Sequence, residues 1–336
     1  MDTLIEEKNK TKFHIPASMQ AAQFTGNGQV QVTECEVPSI NENEVLIAME
    51  GCGLCASNLP VFEGREWFEY PFACGNPGHE GWGRVVAMGG NVSNLKLGDR
   101  VAVITYHAFA EYDKEPASDV VKIPDSLEDK PFPGEPLACA VNIFERSQIA
   151  AGQTVAVIGV GFLGALLISL LKEKGAEVIA ITRRQSALDL AEELGADHCI
   201  KLEDHWPIVN RVKEITQQNL CDRVIEATGK QWPLDLAGDI VGEGGKLIIA
   251  GFHQDGMRQV NMQTWNWKGI DVINAHERDP QKYITGMQKA VKLVENGQLN
   301  PFPLFTHTFP LSEIQRAFDL AIKRPEDYMK TLILMK

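Results

Sequence analysis

The sequence is short of positive charge, of cysteine and of long apolar runs. Its 32 lysines and arginines face 45 aspartates and glutamates, a formal net charge of -13. That balance excludes a surface built for nucleic acid or anionic lipid, since both need a positive field. Seven cysteines in 336 residues are too few for a disulfide scaffold, and the number is odd. The longest apolar run, FLGALLISLL at Phe162 to Leu171, is too short for a bilayer, which takes about 20 residues. The N-terminal stretch MDTLIEEKNKTKF carries both signs of charge and no apolar core, so it is not read as a secretory signal. These absences together predict a cytoplasmic protein with reduced thiols.

What is present changes texture along the chain. Residues 1–18 are polar and without a strong period, and read as a tail. From Met19 short β-type segments follow closely: QVQVTECEV, EVLIAME, GRVVAMG, DRVAVIT and AFAEYD, broken by Pro38, Gly89-Gly90 and Gly98-Asp99. That spacing predicts a barrel-like β domain. Near Gly152 the pattern becomes alternating strand and helix. TVAVIGV, EVIAIT, RVIEATG, GKLIIAG and IDVINA are strands; the apolar segment after Gly161, SALDLAEELG and WPLDLAGDIV are helices. Such alternation predicts a parallel sheet with helices on both faces. A long amphipathic helix, YITGMQKAVKLVENG, comes next. The C-terminal stretch reads as strand, helix and strand, with Ser312 as a helix N-cap. The fold class is therefore α/β.

VIGVGFLG holds Gly159, Gly161 and Gly164 at G-x-G-x-x-G spacing, with Phe162 and Leu163 between the last two. The match alone is weak. Here it ends an apolar strand and opens a helix, as dinucleotide binding requires. Gly159 permits the tight turn, Gly161 lets a pyrophosphate approach the backbone, and Gly164 lets helix and strand pack closely. The end of the next strand speaks to the coenzyme. An NAD site places a carboxylate there, about 20 residues beyond the loop, for the ribose diol. This sequence has Thr182 followed by Arg183 and Arg184. Two guanidiniums suit a 2′-phosphate, so NADP(H) is favoured over NAD(H). The alternative is that one arginine stacks on adenine, with NAD still accepted. Thr228, Gly251 and Phe252 close two later strands at the carboxyl edge, where ligands of such sheets bind.

A second constellation carries metal chemistry. GCGLCASNLP, Gly51 to Pro60, offers Cys52 and Cys55; NPGHEGWG offers His79 beside Glu80; FPGEPLACAVN places Glu135 before a helix. Cys55, His79, Glu80 and Glu135 together supply a thiolate, an imidazole and two carboxylates. Catalytic zinc takes three protein ligands and keeps a position open. A redox reading of Cys52 and Cys55 is the weaker one, because thioredoxin-type pairs open a helix in a small domain of their own. Cys139, a helical turn beyond Glu135, reads as a small buried residue rather than a ligand. Cys35, Cys52, Cys74, Cys199 and Cys221 read as packing.

The ordered set GLCASNL, GHEGWGRV, GDRV, EPLACAVN and VIGVGFLG resembles the medium-chain, zinc-dependent alcohol dehydrogenases from about Met19 to Lys336. The EPL form of the third ligand stretch is similar to the polyol and threonine dehydrogenase branches. The resemblance implies a GroES-like β-barrel catalytic domain at 19–141 and 285–336, and a Rossmann coenzyme domain at 142–284. It implies Cys55, His79 and Glu135 as zinc ligands. Glu80 would be a carboxylate that coordinates the metal or sits just behind it, and Ser57 the hydroxyl that relays the alcohol proton. Hydride then passes between a secondary alcohol, polyol or sugar-like, and the nicotinamide. The sequence departs from the family pattern at Asn58, where an aspartate is usual and where an asparagine carbonyl would still orient His79. It departs again at Pro60, where a histidine is frequent. The four-cysteine lobe that holds a second zinc in many relatives is missing, which predicts one zinc per chain. Coenzyme domains of this family pair through edge strands, which implies a homodimer or homotetramer and gives Trp265 and Trp267 core or interface roles. GREWFEYPF, with Trp67 and Phe68, is expected to wall the substrate pocket. His276 is read either as reaching the active site or as a solvated or interface residue. Two rival readings remain: a zinc-free quinone or enoyl reductase of the same superfamily, and a non-enzymatic NADPH-binding sensor.

Overall fold

Partial alternation of buried and exposed positions marks the first two strands, Ser18–Gly26 and Gln29–Glu36, whereas the next strands are buried along most of their length. The structure, a computed structural model, describes residues 13–335. Most of the expected tail therefore lies outside the described residues. A hairpin of β1 (Ser18–Gly26) and β2 (Gln29–Glu36) comes first, then β3 (Glu44–Gly53), the short helix α1 (Leu59–Glu63), β4 (Glu80–Met88), β5 (Arg100–Val103), β6 (Tyr112–Pro116) and β7 (Val120–Lys122). Helix α2 (Gly134–Ser147) follows. The alternating half then runs β8 (Thr154–Ile158), α3 (Phe162–Lys174), β9 (Glu177–Thr182), α4 (Gln185–Glu193), β10 (His198–Lys201), α5 (His205–Ile215), β11 (Cys221–Glu226), α6 (Gln231–Ile240), β12 (Val241–Ile249), α7 (Met262–Lys268), β13 (Asp271–Asn274) and α8 (Pro280–Glu295). The chain closes with β14 (His307–Pro310), α9 (Ile314–Lys323) and β15 (Thr331–Leu334).

Two units result. The first holds the described residues up to Gly134, with Thr308–Ile322 and 332–335; the second holds Glu135–His307 and Lys323–Thr331. Residues 135–141, 285–307 and 323–331, which the family resemblance assigns to the catalytic domain, fall in the second unit.

In the first unit the main sheet has the order β14-β15-β3-β4-β5-β7, with β6 paired to β3. The strand β3 is buried along most of its length and supports β4, β6 and β15 as antiparallel neighbours. The core gathers around Phe318 of α9. Its ring meets Phe24 and Phe62 at centroid distances of 5.0 Å, and Phe109 at 6.0 Å. Ile314, Ala317, Phe318 and Ala321 form the buried stripe of that helix, at the spacing a one-faced helix requires.

The second unit is a six-stranded parallel sheet in the order β10-β9-β8-β11-β12-β13. The strand order reverses between β8 and β11. In open parallel sheets that reversal leaves a crevice at the carboxyl ends, here at Ile158 and Glu226. Strand β8 is read almost wholly as apolar because both its faces are covered.

Several expectations change. The segment DHCIKLEDHWPIVNRVKEI contains a strand and a helix, β10 and α5, that its mixed polarity hides. Ser312 lies inside a 3-10 turn, Leu311–Glu313, so it is not the N-cap of α9, which starts at Ile314. Cys35 and Cys74 are not independent packing residues but a disulfide joining β2 to the segment before His79. Cys199 is exposed on the edge strand β10 rather than packed. Cys52 and Cys221 are buried and not disulfide-bonded, and burial pushes the Cys221 thiol up to about 12. Among the described residues, no helix is long and apolar enough to cross a membrane.

Candidate metal and coenzyme sites

The strand β3 ends in Gly53 and delivers Cys55 into a 3-10 turn, Ala56–Asn58. Asn58 is almost fully buried and fastens this turn from both ends of its amide. Its Oδ1 accepts from the Cys55 backbone N–H at 3.1 Å, and its Nδ2 donates to the Pro77 carbonyl at 3.0 Å. The same carbonyl lies 2.9 Å from Nδ1 of His79. A carbonyl only accepts, so Nδ1 carries the proton and Nε2 is the nitrogen able to ligate a metal. This corrects the role expected of Asn58. The Asn58 carbonyl faces Cys55, and the backbone carbonyl of Pro77 orients the histidine. A hydrogen-bonded imidazole N–H behind the ligating nitrogen is the usual support of a metal histidine. Ser57 Oγ stands 3.5 Å from His79 Nε2. Pro60 is buried in the first turn of α1.

Glu80 opens β4 opposite Gly53 and is 1% exposed. A Cβ on Gly53 would lie 1.9 Å from Glu80 Oε2, so the missing side chain is the cradle of that carboxylate. Cys55, His79 and Glu80 each offer a ligand atom, and these atoms all lie within 4.8 Å of one another. Sulfur, imidazole nitrogen and carboxylate oxygen at that spacing are a donor set that fits zinc. Glu135 sits in the other unit, in the first turn of α2. There the Cys139 thiol donates to Glu135 Oε1 at 3.2 Å and lies 3.6 Å from the Tyr283 hydroxyl. Burial, then the neighbouring Cys139 and Glu135, push the Tyr283 phenol well above its ordinary value.

The glycine-rich loop after β8 has the turn and the close packing that its spacing predicts. Gly159 turns with φ +100° and packs on Thr228, whose Cγ2 would be 2.6 Å from an added Cβ. An added Cβ on Gly164 would lie 2.1 Å from the Gly159 carbonyl, whereas one on Gly161 would meet nothing within 4 Å. The open side of Gly161 faces the start of α3, where unpaired N–H groups and the helix dipole favour a phosphate. Phe162 stacks on Phe305, and the buried Lys330 holds its ammonium 4.9 Å over the Phe162 ring. At the end of β9, Thr182 is buried and Arg183 exposed. Arg184 is spent elsewhere. Its Nη1 donates to the carbonyls of Pro325 and Glu326, both at 3.2 Å, and of Tyr328.

Profiles of two domain families match the chain: an alcohol dehydrogenase GroES-like domain at residues 41–125 and a zinc-binding dehydrogenase at 163–294. An L-threonine 3-dehydrogenase of Caldanaerobacter subterraneus is 30% identical, over 87% of this chain and 92% of its own. The chain belongs to the zinc-type medium-chain alcohol dehydrogenase family. D-arabinitol dehydrogenase 1 of Uromyces fabae is 28% identical, over 92% of this chain and 96% of its own. The crystal structure of 2R,3R-butanediol dehydrogenase from Bacillus subtilis superposes with a TM-score of 0.83 at 25% identity, covering 95% of this chain and all of that one, 100%. This dehydrogenase is an NAD(P)-linked enzyme acting on CH–OH donors, built from a GroES-like domain and a Rossmann domain.

Sequence reasoning missed four contributors in the dehydrogenase. Gly53 is read as one glycine among several in GCGLC, yet it makes room for Glu80. The Pro77 carbonyl carries no side-chain signal. Lys330 sits far from the glycine loop in sequence. The fourth is a network at the carboxyl edge of β11 and β12. Glu226 is fully buried, and its Oε1 accepts from the Thr228 N–H at 2.7 Å, from the Thr228 hydroxyl and from the Gly229 N–H at 3.0 Å. Its Oε2 lies 2.9 Å from His253 Nε2, and Arg258 Nε donates to His253 Nδ1 at 2.9 Å.

Proposed function

We propose that this dehydrogenase interconverts a secondary alcohol of polyol or sugar-like kind and its ketone, using NADP(H) and one zinc ion per chain. The observation that carries the reading is the convergence of Cys55, His79 and Glu80 within 4.8 Å. The D-arabinitol relative supports the polyol class. Zinc would be held by Cys55, His79 and Glu80, with Glu135 added on the resemblance of its EPLACAVN stretch, and would supply the Lewis acidity that lowers the pKa of a substrate hydroxyl. Ser57, whose Oγ lies 3.5 Å from His79 Nε2, would relay the hydroxyl proton, accepting it as its own proton passes outward to solvent. Trp67 and Phe68, with ring centroids 5.9 Å apart, supply an apolar wall for substrate.

The coenzyme reading assigns the pyrophosphate to Gly159, Gly161, Phe162, Leu163 and Gly164, with the Lys330 ammonium as nearby countercharge. Thr182 leaves no carboxylate to repel a 2′-phosphate, and the exposed Arg183 offers it a guanidinium. Arg184 braces the turn from its three carbonyl bonds. Thr228, Gly251 and Phe252 border the nicotinamide ribose. The first unit is taken as the catalytic domain and the second as the coenzyme domain.

A homodimer or homotetramer through the second unit is supported by its outer strand. Among the described residues the strand β13 has a neighbour only in β12, and Val272, Met262 and Trp267 on or beside it are 42%, 61% and 85% exposed. An unpaired strand edge flanked by apolar side chains favours pairing with a second copy. A cytoplasmic location is supported by five unbridged cysteines, against the single bond of Cys35 to Cys74.

The test combines metal analysis of the purified chain with a coenzyme-coupled panel of polyols, sugar alcohols and ketones run with NAD(H) and NADP(H). The expected result is one zinc per chain and NADP-linked oxidation of polyols. A chain without zinc would point to the quinone or enoyl reductase reading. Bound zinc with no turnover across the panel would point to a sensor.

A further inference from the structure

The Glu226–His253–Arg258 network lies at the reversal point of the parallel sheet, and no step proposed above uses it. Its hydrogen-bond directions are determined by chemistry. Arg258 is a donor at every nitrogen, so His253 Nδ1 must accept, at 2.9 Å. The imidazole proton is then on Nε2, facing Glu226 Oε2 at 2.9 Å. His253 is thereby fixed as a neutral ring with one donor and one acceptor, both in use. Behind it, Arg258 also donates to the Gly229 carbonyl at 2.9 Å and to Asp255, and Asp255 pairs with Lys230 at 2.6 Å.

The network reaches the coenzyme loop through Glu226. That carboxylate holds the N–H and hydroxyl of Thr228, and Thr228 is the residue packed on Gly159. It also braces the loop after β12 against the Gly229 turn. A Cβ on Gly229 would lie 2.4 Å from the Phe252 carbonyl, and one on Gly251 would lie 2.2 Å from the Gly229 nitrogen. A small displacement in either loop therefore moves the other.

We propose that His253 is a positioning residue for the coenzyme: as a neutral Nε2–H imidazole it locks the Thr228–Gly229 turn and the loop after β12 into the arrangement that receives the nicotinamide half. Loss of the ring removes the acceptor of the Arg258 Nε–H and the donor facing Glu226 together. The groups facing His253 are Glu226 from β11 and Arg258 from its own loop, with Asp255 and Lys230 one contact further; His276 lies against the ring of the adjacent Phe252.

The inference rests on the coenzyme reading of the glycine-rich loop. The test is a fluorescence titration of the full-length enzyme with NADH and with NADPH at pH 8, comparing wild type with His253→Gln, His253→Ala and Arg258→Gln. Glutamine keeps an amide donor and a carbonyl acceptor, and alanine keeps neither. His253→Ala and Arg258→Gln are expected to bind both coenzymes about tenfold more weakly, the scale of one lost charged hydrogen bond. His253→Gln should bind within a few-fold of wild type. Equal losses in His253→Gln and His253→Ala, or full affinity in His253→Ala, overturn the positioning role. Failure of wild type to bind either coenzyme at pH 8 overturns the coenzyme reading as well.

Discussion

Gly53 and Glu80 face each other across β3 and β4, and the Glu80 carboxylate occupies the volume that any side chain on Gly53 would need. Both positions are buried. The strand pairing thus holds the carboxylate in place without a loop to adjust it.

Gly53→Ala is expected to act on the metal rather than on folding alone. The methyl group would displace Glu80 Oε2 from the volume it occupies beside Gly53. The variant should purify with well under one zinc per chain and lose at least about tenfold in kcat/KM, as losses of groups supporting a metal site do. Metal analysis with steady-state kinetics checks it. A fully zinc-loaded, fully active Gly53→Ala enzyme would remove the cradle role.

Arg183 and Arg184 are adjacent yet differently engaged, and substitution should separate them. Arg183→Ala should raise the KM for NADPH about 10- to 100-fold and leave that for NADH nearly unchanged, the worth of a charge-assisted contact to phosphate. Arg184→Ala should instead lower the melting temperature, because three carbonyls at 325–328 lose their donor. Its NADPH-to-NADH preference should move less. Kinetics with both coenzymes and a thermal melt decide between these patterns.

How much of this was legible in the sequence follows from range. The glycine loop, Cys55 with Ser57, and His79 with Glu80 each lie within a few consecutive residues, so spacing alone exposes their chemistry. The parallel sheet was legible because its central strands are nearly all apolar. By contrast Glu226 reads as a polar residue ending a strand, and only the fold brings it to His253 and Arg258. Strand β10 and α5 were passed over because HCIK and HWPIVNRVKEI mix polar and apolar residues on the outer edge of the sheet. The role of Asn58 is hidden because its amide meets the Cys55 N–H and the Pro77 carbonyl, backbone groups that leave no mark in the sequence.

The Cys35–Cys74 bond joins positions 39 residues apart, a span no local pattern reveals. Unfolded under non-reducing conditions, the chain should label at five cysteines, the number that remain free. After reduction all seven should label. Reduction should also destabilise the first unit by about 2–4 kcal/mol, the usual worth of such a loop closure. Mass spectrometry of alkylated protein and a melt with and without reductant test both statements. Seven labelled thiols before reduction would exclude the bond.

The carboxyl cluster on β6 predicts how stability depends on pH. Asp113 and Glu115 share a face of the strand, two residues apart. Burial first, and then the Asp113 charge, push Glu115 up to about 8, against a partial opposing bond from Thr105; Asp119 and Glu44 add to the rise. Asp113 is also raised by burial, while the Thr105 hydroxyl and the Lys114 N–H support its ionised form. A carboxyl whose folded pKa is raised binds its proton more tightly in the native state, so its contribution is complete below the unfolded value of 4.5 and lost as pH rises through about 8. Through that window Glu115 alone should lower stability by up to about 1.4 kcal/mol per pH unit. Glu115→Gln keeps the shape and removes the titration. It should melt higher than wild type at pH 9 and show little advantage at pH 5. Denaturant unfolding at the two pH values checks this, and a Glu115→Gln advantage that is equal at both would show that the carboxyl is already ionised in the native enzyme throughout.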